Sequence, residues 1–190
     1  MIHIAAEKLF SCNLFWSGGG VKDLGQNAMM SFKCIDAIEV SLHIEREGLV
    51  YYQKASRRAQ NPKVKDVFTR LANEEKDHIH SLQEKSRFLQ PTLAKKAETS
   101  RELESFIAEN LEGKVFPGFQ SGDGAEPKND LEALDVGIES EKRSIEVLRD
   151  LLTREKKLDV RAVFMHLMAE EQKHLKLLEN IRRTLVADAG

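Results

Sequence analysis

Cysteine is almost missing from this chain. Cys12 and Cys34 are the only two among 190 residues. Two thiols cannot build a disulfide framework, a four-cysteine zinc site or a rubredoxin-type iron centre. An excess of one charge sign is missing too: 29 Lys and Arg stand against 31 Asp and Glu, a formal net charge of -2. That balance argues against a basic nucleic-acid binder, and no nucleic-acid partner is expected. No run approaches the roughly 18 apolar residues that a membrane-spanning helix needs, so no membrane partner is expected. The N-terminal residues lack a basic start, and Glu7, Lys8 and Asn13 interrupt their apolar stretch, so they do not read as a signal peptide. A reducing cytoplasm is the simplest compartment.

Glycine and proline are few, and their placement carries information. Gly18, Gly19, Gly20 and Gly25 punctuate the start, and Gly113, Pro117, Gly118, Gly122, Gly124 and Pro127 crowd the middle. Between Cys34 and Gln90 only Gly48 and Pro62 occur, and between Asn129 and Ala189 only Gly137. Two long breaker-poor blocks are thus separated by a linker. Both blocks are rich in Ala, Leu, Glu, Lys, Arg and Gln, the good helix formers. Apolar residues recur at three and four, as Val64, Val67, Phe68, Leu71 and again as Val160, Val163, Phe164, Leu167. Asn61-Pro62 supplies a cap and a first-turn proline that split the first block. The second splits around Thr153 to Asp159. The expectation is all-α, with helices at about 34–60, 62–90, 129–154 and 158–186 and a short connecting helix within 98–112. Residues 1–33 form an N-terminal extension, 34–187 the bundle, and 91–128 its linker.

The two blocks align at an offset of 96 residues without a gap. Ala37 meets Ala133, Glu45 meets Glu141, Val67-Phe68 meets Val163-Phe164, Glu74-Glu75 meets Glu170-Glu171, and His78 meets His174. A helix pair repeated twice builds a four-helix bundle with pseudo-twofold symmetry. If the linker runs the length of the bundle, the fold has the single long crossover of ferritin-like bundles.

Matched Val, Phe and Leu are core residues in any duplicated bundle, and each Glu alone reads as a solvated helix charge. The paired His changes that weighing. Glu75-x-x-His78 and Glu171-x-x-His174 place acid and imidazole about 60° apart on one helix face. Glu45 and Glu141 add one Glu per repeat on the preceding helix. Four Glu and two His from four helices are the pattern of di-iron and di-manganese carboxylate bundles. Carboxylates suit and bridge hard divalent ions, and imidazole fits iron, manganese or zinc. Four carboxylates neutralise two divalent cations, whereas without metal they would repel one another in a desolvated core. Glu74 also shares the face of His78, so spacing leaves Glu74 or Glu75, and Glu170 or Glu171, open. The offset makes the two halves equivalent, one metal each.

Glu45-Arg46-Glu47-Gly48-Leu49-Val50-Tyr51-Tyr52 with Leu71-Ala72-Asn73-Glu74-Glu75-Lys76-Asp77-His78 resembles the rubrerythrin branch of the ferritin-like superfamily. Glu141 with Met168-Ala169-Glu170-Glu171-Gln172-Lys173-His174 resembles it as well. The resemblance covers about 34–90 and 129–186. It implies metal ligands Glu45, Glu75, His78, Glu141, Glu171 and His174, two iron ions with manganese or zinc as substitutes, and a tyrosine beside the pair at Tyr52. The activity implied is reduction of peroxide or oxygen. Members of that branch carry a rubredoxin domain with four cysteines, which this sequence does not supply, so a separate electron donor such as a rubredoxin is expected. They also place an extra Glu one turn after the third-helix ligand; here Ser144 stands in that position, which weakens the expectation of efficient peroxidase turnover. Iron storage or buffering is the alternative, and a metal-free helical interaction module is a third reading that the doubled ligand set disfavours. A homodimer is expected. His43 and His80 fall off the ligand face, His166 matches Arg70 in the repeat and reads as a surface residue, and Cys34 reads as a helix-start residue. Leu9, Phe10, Leu14, Phe15 and Trp16 belong to no repeat and are expected to dock on the bundle or on a second subunit.

Overall fold

The computed structural model describes residues 31–89, 101–116 and 126–188. The apolar cluster between Leu9 and Trp16, Cys12 and parts of the 91–128 linker lie outside the described residues. The elements are α1 (Cys34–Arg58), α2 (Pro62–Leu89), α3 (Arg101–Asn110), α4 (Asp130–Arg154) and α5 (Leu158–Asp188), with no strand among the described residues. Every helix expected from the sequence is present. None of the described helices is long and apolar enough to cross a membrane.

Local chemistry sets the helix ends. Asp36 accepts from the Lys33 N–H at 2.7 Å at the start of α1. Asn61 accepts from the Lys63 N–H at 2.9 Å, and Pro62 takes the first helical position, where its missing N–H costs nothing. Asn129 caps α4 by accepting from the Glu132 N–H at 2.9 Å.

The turns report the topology. Asp130, at the start of α4, accepts from the backbone N–H groups of Gln60 and Asn61 in the α1–α2 turn, at 3.1 and 2.7 Å. At the other end, Lys157 in the α4–α5 turn donates to the Phe32 carbonyl at 2.7 Å, beside the start of α1. Hence α1 and α4 run antiparallel. The linker must return the chain along the bundle, which is the ferritin-like crossover. The repeat-matched Val64, Phe68, Leu71, Val160, Phe164 and Leu167 are all buried at its centre.

The linker also contributes to the core. Leu103, Leu111, Val115 and Phe116 are buried against the bundle. Gly113 turns the chain with φ +65, where a side chain would be strained. Its N–H donates to Glu47 at 2.8 Å, and the Phe116 N–H donates to the other oxygen of Glu47 at 3.3 Å. Glu47 is thus a buried carboxylate that closes the loop onto α1.

Candidate metal centre

Helical spacing aims side chains from four helices at one point in the bundle. Glu45 comes from α1, Glu75 and His78 from α2, Glu141 from α4, and Glu171 and His174 from α5. The structure brings all six together. Ligand atoms of Glu75, Glu141, Glu171 and His174 lie within 4.8 Å of one another, and those of Glu45, Glu75 and His78 do the same. His174 Nδ1 is 3.2 Å from Glu75, 3.6 Å from Glu141 and 3.6 Å from Glu171. His78 Nδ1 is 3.4 Å from Glu45 and 4.0 Å from Glu75. The two imidazoles stack with ring centres 5.7 Å apart.

Of Glu74 and Glu75, which spacing leaves open, the structure places Glu75 in the cluster. Glu75 and Glu171 point into the cluster, while Glu74 and Glu170 reach across to the far nitrogens of the opposite half. Glu74 is 3.4 Å from His174 Nε2, and Glu170 is 3.8 Å from His78 Nε2. Each outer Glu thus sets its carboxylate beside the Nε2 of the other half, while Nδ1 of each imidazole faces the cluster. The sequence carried a signal for these crossed contacts, because Glu74 and Glu170 occupy matched positions and share the faces of His78 and His174.

The halves are not equivalent, in contrast to the expectation from the offset. Glu75 belongs to both groups, but its mate Glu171 belongs to one. His78 is 24% exposed and His174 3%. One substitution within the repeat accounts for part of this. Ser144 Oγ donates to Glu171 Oε1 at 2.9 Å and holds that carboxylate to its own side. The mate of Ser144 is Gly48, which has no such hydroxyl. A Cβ at Gly48 would stand 3.1 Å from Glu75 Oε1 and 3.3 Å from the Phe116 ring, so the glycine gives Glu75 its space.

Tyr52 is fully buried, and its hydroxyl donates to Glu141. It stacks on Phe68 at 6.1 Å, and Phe116 packs edge-on to it at 6.0 Å. Leu148, the repeat mate of Tyr52, is buried without a polar group, so only one half has a phenol at the cluster. His43 lies 3.3 Å from Glu47, away from the cluster, and His80 and His166 are exposed.

The electrostatics are those of a desolvated acid cluster. Burial, and next the neighbouring Glu45, push the Glu75 carboxyl well above the usual range. Burial and the charge of Glu171 do the same to Glu141. Burial opposes ionisation of Glu171 as well, but the neighbouring Glu141, the imidazole of His174 and the Ser144 hydroxyl hold it below its ordinary value. Burial would lower His174, yet Glu141, Glu171 and Glu75 around it raise it. His78 is raised, chiefly by Glu45. Burial and Glu141 keep the Tyr52 phenol protonated.

Protons alone do not satisfy this cluster. Glu45 Oε2, Glu75 Oε2, His78 Nδ1, Glu141 Oε2, Glu171 Oε2 and His174 Nδ1 are all buried without a hydrogen-bond partner. Buried polar atoms without partners are costly and rare, and here every one of the six side chains contributes one. The oxygen-rich donor set with two imidazole nitrogens fits two iron or manganese ions. No curated protein and no solved structure matches the chain. The family model described as Rubrerythrin matches residues 36–182. That span contains the four clustered glutamates, both histidines and Tyr52, and the chain belongs to the rubrerythrin family.

Proposed function

We propose that Glu45, Glu75, His78, Glu141, Glu171 and His174 hold two iron ions, and that the protein uses them to reduce peroxide or oxygen. The observation that carries this reading is the set of six buried polar atoms, one per side chain, without partners and facing one another. Ferrous iron, when bound, supplies the two electrons that reduce a peroxide to water or an alcohol. The chain does the rest. Glu75 is shared between the two positions, Ser144 fixes Glu171, and Glu74 and Glu170 hold the imidazoles with Nδ1 inward. The Tyr52 hydroxyl, bonded to Glu141, holds a proton beside the site for the departing oxygen. Buried Phe68 and Phe116, packed on Tyr52, keep bulk water from that side of the site. Electrons return from a separate protein such as a rubredoxin.

The test is metal analysis of protein purified with iron present, followed by stopped-flow oxidation of the anaerobic ferrous form. Two irons per chain and fast oxidation by peroxide, faster than by oxygen, are expected. Two irons oxidised slowly by both would favour storage or buffering. Fewer than one iron per chain would overturn the two-metal reading.

A further inference from the structure

The cluster is sealed on one side and open on another. A cavity of about 230 Å³ lies between α2 and α5 and has Glu45 and His78 at its floor. A water takes about 30 Å³, so several fit. Leu82, Val163 and Leu167 form its walls, and the exposed Ser81, Lys85, Ala162 and His166 stand at its rim. Half-buried Glu170 also lines it, adding a carboxylate on the way to His78. Glu141, Glu171 and His174 do not border this cavity, and each is at most 3% exposed. Among the described residues, the four-residue group therefore lies behind the three-residue group as seen from solvent.

We propose that divalent cations load and leave this centre in a fixed order through the cavity between α2 and α5. An incoming ion meets Glu45, Glu75 and His78 first. The first ion then passes inward to Glu75, Glu141, Glu171 and His174, where four ligands hold it instead of three. The second ion stays at the outer position. Release runs in reverse: the outer ion leaves first, and the inner one follows through the place it vacated. Glu75, common to both groups, is the carboxylate that hands the ion across. This order rests on the two-metal reading, but the halves of a symmetric two-metal site would exchange together, so the two ideas fail separately.

The experiment loads the full chain with two equivalents of cobalt(II) and follows release into excess chelator by stopped-flow absorbance. Two phases of equal amplitude are expected, with rates about tenfold or more apart, since the inner ion has one more ligand. Ser81→Trp and Ala162→Trp put bulk at exposed rim positions without touching a ligand, and each should slow the fast phase several-fold. Met165→Trp, exposed on the same helix but not lining the cavity, should leave both phases as in the parent. His78→Ala should bind one ion and show only the slow phase. Failure to bind two ions in the parent would sink the two-metal reading itself. Two bound ions released in a single phase, or a fast phase indifferent to both rim tryptophans, would overturn the ordered route alone.

Discussion

Ser144 Oγ donates to Glu171 Oε1 at 2.9 Å, whereas Gly48, its mate 96 residues earlier, offers Glu75 only space. This difference, with Tyr52 against Leu148, separates the two halves of the site. One carboxylate of the matched pair is tethered by a fully buried hydroxyl, and the other belongs to both groups of the cluster. Ser144 also stands where the resemblance to rubrerythrins calls for an extra Glu. A hydroxyl that holds a carboxylate in place thus stands where that resemblance puts a further carboxylate.

Gly48→Ala tests the space. An alanine in a helix interior gains up to about 1 kcal/mol over glycine. Its Cβ would stand 3.1 Å from Glu75 Oε1, so the carboxylate must shift by a few tenths of an ångström. Metal affinity should fall about 10–100-fold, as for other disturbances of ligand orientation, while the metal-free melting temperature holds or rises. Isothermal titration and thermal melts check both. Parental affinity would show that Glu75 needs no space at Gly48.

Metal should stabilise the fold, because it binds the folded state alone. At a free metal concentration 100 times Kd the gain is about 2.7 kcal/mol for each ion, or about 5–10 °C per ion for a chain of this length. Glu45→Gln with Glu141→Gln should abolish that rise. The same double variant should melt higher than the parent without metal, since it removes two buried acids from a crowded cluster. A full metal response in the double variant would exclude both residues as ligands.

The metal-free protein should lose stability as pH rises. Glu75 and Glu141 are raised in the folded chain, so above an ordinary carboxylate value of about 4.3 the folded state binds more protons than the unfolded one. Stability then falls with pH. Raised His174 acts in the same direction above about 6.5, its contribution being lost as pH climbs toward its folded value. Glu171, lowered, acts in the opposite sense and favours folding above its ordinary value. Between pH about 5 and 8 the raised groups dominate, so urea midpoints of the metal-free chain should decline there. Metal binding should release protons over the same window, measurable as buffer-dependent binding heat. A midpoint that climbs from pH 5 to 8 would contradict the raised carboxyls.

The fold was legible in the sequence because its signals are local and doubled. The scarcity of glycine and proline outlined two blocks, Asn61-Pro62 split the first, and the match of Phe68 to Phe164 and His78 to His174 exposed the repeat. The six clustered residues were legible for the same reason. The sharing of Glu75 was not, because it depends on what stands beside a carboxylate in space: Gly48 in one half and Ser144 in the other. Glu47 was missed as well. It acts by accepting from the backbone of Gly113 and Phe116, and that linker has no counterpart in the repeat to draw notice. The cavity over His78 depends on how α2 and α5 meet, which the periodicity of either helix does not record.

The unequal halves make the two histidines unequal in consequence. His78→Ala removes one of the three side chains of the outer group and leaves Glu75, Glu141, Glu171 and His174 as they were. It should therefore retain one tightly held ion. His174→Ala removes the imidazole that lies 3.2 Å from Glu75, and Glu75 serves both positions. That variant should hold neither ion tightly, with less than one per chain after gel filtration at metal levels that saturate the parent. Truncating buried His174 also leaves a void, so its metal-free melting temperature should drop more than that of His78→Ala, where the side chain is partly exposed. Neither should unfold the bundle, since Phe68, Leu71, Phe164 and Leu167 remain in place. His43→Ala, whose imidazole faces Glu47, is the control for stoichiometry. His166→Ala belongs to a different comparison: at the cavity rim it should alter exchange rate and leave the metal count at two. Metal analysis of the four variants beside the parent decides the matter. Equal losses in His78→Ala and His174→Ala would restore the symmetric site that the offset of 96 residues implies.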